Sequence, residues 1–146
     1  MRTLPSLQNS KNVLKVKSTA FAFRIIRLIR HVQQSQREFV LTKQLLRSGT
    51  SIGANIRESE YAESPSDFVH KLGSAQKEAN ETIYWLELFF ADGILSEPEF
   101  QSIYADAEEL MKLLTSSIKT KKKNGAIKIS NLFGAMFSSS FFWAIH

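Results

Sequence analysis

The sequence predicts an all-α protein, an antiparallel up-down-up-down four-helix bundle. Three observations carry that prediction. Apolar residues recur in steps of three and four along four long segments, short connections separate the segments, and no strand-like alternation intervenes. The 146 residues suit one such domain with tails, and 43% hydrophobic beside 23% charged residues is the balance of a globular chain. The expected organisation is an N-terminal extension over 1–17, the bundle over 18–120 and a basic, aromatic C-terminal tail over 121–146.

The first segment, STAFAFRIIRLIRHVQQ, sets Phe21, Ala22, Ile25, Leu28, Ile29 and Val32 on one stripe with Arg24, Arg27, His31 and Gln34 opposite. Ser18 is its expected N-cap. The second, from about Glu38 to Glu58, aligns Leu41, Leu45, Gly49, Ile52 and Ile56. The third opens with Ser64 as cap and Pro65 at the first helical position, and its stripe is Phe68, Leu72, Ala75, Ala79, Ile83, Leu86 and Phe90. After the connection ADGILSEPEF, Phe100, Ile103, Ala107, Leu110, Met111, Leu114 and Ile118 form the fourth.

The glycine-containing stretch LLRSGTSIGANIRESEY, residues 45–61, lies inside the second segment. A phosphate-cradling loop would need a lysine after its second glycine and a strand before its first, and neither is present. A linker would break the apolar period, which instead runs straight through. Each glycine inside a helix costs about 0.5–1 kcal/mol relative to alanine, so the close approach of another backbone is the expected offset.

Charge divides the chain. Residues 1–57 carry 11 Lys/Arg and one acid, residues 58–118 carry 3 basic and 13 acidic side chains, and residues 119–146 carry five lysines and no acid. Such asymmetry implies a polyanionic partner for the basic half, or a complementary contact between halves within or between subunits. The candidate nucleic-acid-binding cations are Lys15, Lys17, Arg24, Arg27, Arg30, Lys43, Arg47 and Arg57. On the second segment Lys43, Arg47, Thr50, Ala54 and Arg57 form a ridge beside Phe39, Leu46 and Gly53. On the third, Asp67, Ser74, Glu78, Glu81, Trp85 and Leu88 line up away from the core stripe. One expectation is that ridge and stripe meet across a subunit boundary and close a ring, with Phe23, Phe39, Leu46, Gly53, Asp67, Glu78, Glu81 and Trp85 at the interface. The alternative is an internal contact, or two solvated faces.

No catalytic or metal constellation is assembled by spacing. The chain has no cysteine and three histidines, His31, His70 and His146. The pairs Asp67–His70 and Glu78–Glu81 fall short of the inward-facing carboxylate and histidine set of a di-iron bundle. Asn55 and Glu58 suit a structural polar network with Glu78 or Glu81 better than catalysis. No metal, cofactor or small-molecule substrate is expected. With no signal-peptide pattern and no run of about 18 apolar residues, the reading is cytoplasmic and without a membrane span. The tail KKKNGAIKISNLFGAMFSSSFFWAIH suits a flexible segment, a partner or subunit contact, or a membrane-surface contact.

The phrases FAFRIIRLI, SGTSIGANI, SDF and KLGSAQKEANETIYWL closely resemble the family of 23S ribosomal RNA intervening-sequence proteins over about residues 17–120. The resemblance implies a small antiparallel bundle, often a homopentameric ring, with no enzymatic activity assigned. A related bundle, the accessory protein of diversity-generating retroelements, is held to engage nucleic acid as a basic pentamer. The segment after Lys123 departs from the family pattern. The functional expectation is a non-enzymatic homo-oligomer, a pentamer by resemblance, that binds ribosomal RNA or other nucleic acid through its basic N-terminal half. The alternative is a protein-interaction or scaffold module whose charge asymmetry serves subunit assembly alone.

Overall fold

The computed structural model describes Leu4 and residues 12–141, and among these it holds four helices: α1 (Val13–Gln36), α2 (Leu41–Ser59), α3 (Pro65–Ala91) and α4 (Glu97–Phe141). Residues 142–146 of the tail and most of the N-terminal extension lie outside the described residues.

Helix starts follow side-chain acceptors. Asn12, rather than Ser18, caps α1, its Oδ1 accepting the Lys15 N–H at 3.1 Å. Ser18 lies inside the helix instead, buried, with its hydroxyl donating to the Lys15 carbonyl. The helix closes at Arg37, whose φ of 54° is left-handed and whose N–H returns to the Gln33 carbonyl. Glu38, expected to open α2, caps it from outside. Its carboxylate accepts from the N–H groups of Val40, Leu41 and Thr42 at 3.0, 2.9 and 2.8 Å, so regular helix begins at Leu41. Burial works to raise the Glu38 pKa, but the three backbone donors outweigh it and hold the group below the ordinary carboxylate value. Ser64 caps α3 with Pro65 in its first turn, as the sequence predicts. Ser96 donates through both its N–H and its hydroxyl to Glu99 at the start of α4.

Contacts between neighbouring helices run in opposite order along the chain. Lys15 meets Glu60 and Gln33 meets Thr42 between α1 and α2; Arg47 meets Glu81 and Lys71 meets Glu58 between α2 and α3. Gln76 pairs with Thr115 and Glu87 with Tyr104 between α3 and α4, and Lys17 with Glu109 and Arg24 with Asp106 between α4 and α1. Each adjacent pair is therefore antiparallel.

The core lies where the stripes converge. Phe21, Ile25, Ile29 and Val32 of α1 pack with Leu45, Ile52 and Ile56 of α2, Leu72, Ala75, Ala79 and Leu86 of α3, and Ile103, Ala107, Leu110 and Leu114 of α4. The end of the third stripe shifts by one residue. Phe89 is fully buried, whereas Phe90 stacks on Phe100 at 4.5 Å between centroids and stays 38% exposed. The glycines of α2 answer to α1. A Cβ on Gly49 would lie 2.9 Å from Ile25 Cγ1, and one on Gly53 would lie 3.4 Å from Ser18 Oγ. Small residues here bring the α1 and α2 backbones together, and Gly53, expected at an outer interface, faces α1.

The expected boundary at residue 120 is not a break in the helix. α4 runs for 45 residues, against 27 in α3, and continues to Phe141. Burial ends earlier. Among the described side chains, Leu114 is the last fully buried and Ile118 the last to pack against the core. From Lys119 to Gly134 the described side chains are exposed, apart from half-buried Gly125.

Candidate nucleic-acid interface

A cation is available to a polyanion in proportion to how little the fold already neutralises it. Among the candidate cations, Lys15, Lys17, Arg24 and Arg47 are held by carboxylates of the same chain. Lys15 Nζ sits 2.8 Å from Glu60, which also accepts from Asn12, and Lys17 Nζ sits 2.7 Å from Glu109. Arg24 donates to Asp106, to the Ser102 carbonyl and to the Ser102 hydroxyl. Arg47 reaches Glu81 and, at 3.4 Å, Glu78. The basic ridge of α2 and the acidic stripe of α3 do meet, then, but inside one chain.

These pairings shift the acids. The Lys15 ammonium holds Glu60 below the ordinary carboxylate value. Arg47 does the same for Glu81, helped by the Trp85 indole N–H, which donates to Glu81 at 3.1 Å. In return, the Glu81 carboxylate raises the Arg47 pKa. Lys71, which the charge count had not singled out, is raised by Glu58 at 2.7 Å. Asn55 donates to the Ser51 carbonyl one turn back, and Glu58 turns to Lys71, so the expected network with Glu78 or Glu81 is replaced by these contacts.

The outer face of α1 presents its basic side chains to solvent. Its inner face is set by Phe21, Ile25, Ile29 and Val32, and the contacts of Gln33 with α2 and Arg24 with α4 define its two flanks. Phe23, Arg27 and Arg30 are left on the outward side, with both arginines exposed and Phe23 half-buried. On the α4 flank an open groove of ≈ 480 Å³ is lined by Arg24, Arg27, Leu28 and His31 from α1 and by Glu99 and Ser102 from α4. His31 Nε2 is 3.9 Å from Glu99. Glu99 is held below its ordinary value chiefly by the Ser96 hydroxyl and N–H. His31, placed on the polar side by periodicity, was not among the candidates; only the tertiary structure brings it beside Arg24 and Arg27. Lys43 is exposed on α2, and Arg57 is half-buried near Glu60.

The expected interface residues scatter. Leu46 and Trp85 are half-buried against the core, Gly53 faces α1, Glu78 and Glu81 hold Arg47, and Asp67 accepts from the Glu63 N–H beneath the α2–α3 turn. Phe39 remains half-exposed beside Val40, which is 73% exposed. Because Arg47 lies opposite Glu81 in an antiparallel pair, Phe39 falls near the level of Leu88. Leu88 is exposed, as is Tyr84 one turn before it, and Tyr84 tilts against Trp85 at 5.2 Å. Tyr84 was missed because it lies off both the core stripe and the acidic stripe.

Among the described residues no three His, Cys, Asp or Glu side chains converge as a metal site, and no helix is long and apolar enough to cross a membrane.

Bundle geometry of this kind is shared by known proteins. The family model described as 23S rRNA-intervening sequence protein matches residues 10–116. The chain belongs to that family. It is also similar to a crystal structure of a protein of unknown function from the S23 ribosomal protein family of Bacteroides thetaiotaomicron, at 53% identity and a TM-score of 0.72. That likeness covers 73% of this chain and 99% of the other. No curated protein matches the chain. As a member of the 23S rRNA-intervening sequence protein family, the chain carries its α4 segment after residue 116 beyond the family match.

Proposed function

We propose that this protein is a non-enzymatic, homo-oligomeric RNA-binding module of the cytoplasm that engages structured RNA through the outer face of α1. The observation that carries the reading is the alignment of Arg27 and Arg30 on an exposed helix face, one edge of which adds His31 along an open groove. Such a face contacts phosphates and reads few base edges, so affinity falls steeply with salt. Repetition around an oligomer multiplies the weak contacts of one subunit. The exposed Phe39, ahead of α2, and Tyr84 and Leu88, on α3, are apolar side chains available for subunit contact, and the family resemblance favours a pentamer.

The test is a salt titration of binding to a structured ribosomal RNA fragment by the wild type and by Arg27→Glu/Arg30→Glu, with oligomer mass read by light scattering. Weaker binding and a shallower salt slope at unchanged mass support the reading. RNA binding that ignores the double substitution overturns it. Dissociation of the oligomer would instead support the scaffold alternative, which the internal pairing of Arg47 with Glu78 and Glu81 otherwise weakens by using those charges inside the subunit.

A further inference from the structure

The groove between α3 and α4 departs from the charge of the segments that build it. Residues 58–118 are acidic overall and carry three basic side chains, Lys71, Lys77 and Lys112. Lys71 turns to Glu58, but Lys77 and Lys112 come to the flank where α3 meets α4, and the next turns of α4 add Lys119. The acids of α3 point elsewhere. Glu78 and Glu81 hold Arg47 of α2, and Asp67 accepts from the Glu63 N–H. Glu87 accepts from the Tyr104 hydroxyl, toward the other end of the groove. On α4, Asp106 and Glu109 reach Arg24 and Lys17 of α1, and Glu108 stands one turn before Lys112. Among the described residues no carboxylate pairs with Lys77, Lys112 or Lys119.

Register brings the three lysines to one place. Gln76 Nε2 donates to the Thr115 hydroxyl at 2.7 Å, and that hydroxyl donates to the Met111 carbonyl, so this pair ties α3 to α4 at one level. Lys77 follows Gln76 directly, while Lys112 and Lys119 flank Thr115 by about one turn on either side. Seven residues apart, Lys112 and Lys119 share one side of α4, about 10 Å from each other along its axis. Two open depressions that share Met111 run through the site, one of ≈ 440 Å³ along Lys112, Ser116 and Lys119 and one of ≈ 370 Å³ along Lys77 and Asn80. These lysines, Ser116 and Asn80 are all exposed, and among the described residues their side chains have no hydrogen-bond or ion-pair partner.

We propose that the α3–α4 groove is a second RNA contact, which holds a phosphodiester backbone between Lys77 of α3 and Lys112 and Lys119 of α4, with Asn80 and Ser116 donating to phosphate or ribose oxygens. The occupant follows from the donor set. Contacts to the backbone of a nucleic acid are drawn from lysine together with hydroxyl and amide side chains, and this groove offers that combination. An acidic peptide would satisfy the lysines but find little to anchor it. Met111 is the one apolar side chain among the lining residues and is already half-buried against the core, whereas protein contacts take most of their affinity from buried aromatic and arginine anchors. The groove lies on the flank of α4 away from α1, so a subunit that uses both faces grips two stretches of RNA. The inference rests on the reading that the partner is RNA, and it uses none of the side chains of the α1 face.

Salt titration of the full chain against a structured ribosomal RNA fragment tests it, with Lys77→Gln/Lys112→Gln/Lys119→Gln beside the wild type and Arg27→Glu/Arg30→Glu. Each phosphate contact contributes about 0.7–0.9 to the slope of log affinity against log salt, so the glutamine variant should lose about 2–3 from that slope per subunit engaged. Lys77→Arg/Lys112→Arg/Lys119→Arg should keep it. The three side chains are exposed, so helical circular dichroism and light-scattering mass should be retained in both variants. On the wild type, RNA should protect Lys77, Lys112 and Lys119 from acetylation, read by mass spectrometry. A glutamine variant with the wild-type slope, or acetylation indifferent to RNA, overturns the inference while leaving the α1 reading intact if Arg27→Glu/Arg30→Glu still weakens binding. Loss of slope in the glutamine variant alone supports the groove and overturns the α1 face. A wild type that binds no RNA at low salt overturns both. Protection by polyglutamate where RNA gives none would overturn the inference and assign the groove to an acidic protein segment, and a fall in mass of the glutamine variant without RNA would overturn it in favour of a neighbouring subunit.

Discussion

Replacing Gly49 with alanine should destabilise the bundle even though alanine is the better helix former. The new Cβ would stand 2.9 Å from Ile25 Cγ1, 3.1 Å from Cγ2 and 3.4 Å from Cβ. Ile25 is fully buried, and its β-branch holds χ1 in one rotamer on a helix, so it cannot swing aside. Overpacking of this kind costs about 1–3 kcal/mol, against a gain of about 1 kcal/mol in helix propensity. Gly73 provides the control. It lies inside α3, and a Cβ there meets nothing within 4 Å. Gly73→Ala should therefore stabilise by up to about 1 kcal/mol, and the difference between the two variants, about 1–3 kcal/mol, isolates the clash. Urea unfolding at one protein concentration reads this as a difference in midpoint at unchanged slope. In an Ile25→Ala background, which removes both γ carbons, the difference should vanish. Equal midpoint shifts for Gly49→Ala and Gly73→Ala in the parent chain would refute the close-approach account of these glycines.

Glu38→Ala should cost about 1 kcal/mol, because it removes the acceptor of three N–H groups at the start of α2; fraying of α2 by hydrogen exchange checks it, and unchanged protection at Leu41 and Thr42 would count against the cap. Acid should weaken the fold. Glu38, Glu60, Glu81 and Glu99 all titrate below the ordinary 4.5 in the folded chain. Their contribution is thus complete above pH 4.5 and is lost as the pH falls below it through the folded values. Unfolding midpoints should hold near neutrality and decline on that acid limb, and a flat profile through it would show that these pairs contribute nothing.

Much of the fold was legible because burial imposes a period on the sequence. Leu45, Gly49, Ile52 and Ile56 could be placed inside from spacing alone, and so could Leu72, Ala75 and Ala79, since a helix repeats its inner face every three or four residues. Ser64–Pro65 announced its helix start by local chemistry. Asn12 and Glu38 did not, because a cap acts through the backbone conformation around it, and Ser18 offered an equally plausible hydroxyl. Periodicity also could not decide between Phe89 and Phe90, adjacent aromatics at the last turn of α3, where the packing of Phe100 settles which one enters the core.

For the candidate site, the sequence by itself determined the inventory: a basic first half, an acidic middle, and an acid-free, lysine-rich end. Only the tertiary structure decided which charges cancel. Complementary stripes on α2 and α3 have the same composition whether they meet within a chain or between chains, and it is the antiparallel register that puts Arg47 beside Glu81 and Lys71 beside Glu58. Likewise Arg24 is bound by Asp106, 82 residues away, while Arg30 on the same helix remains exposed. Composition records how many charges a chain has; their distances, fixed by packing, determine how strongly each is already neutralised.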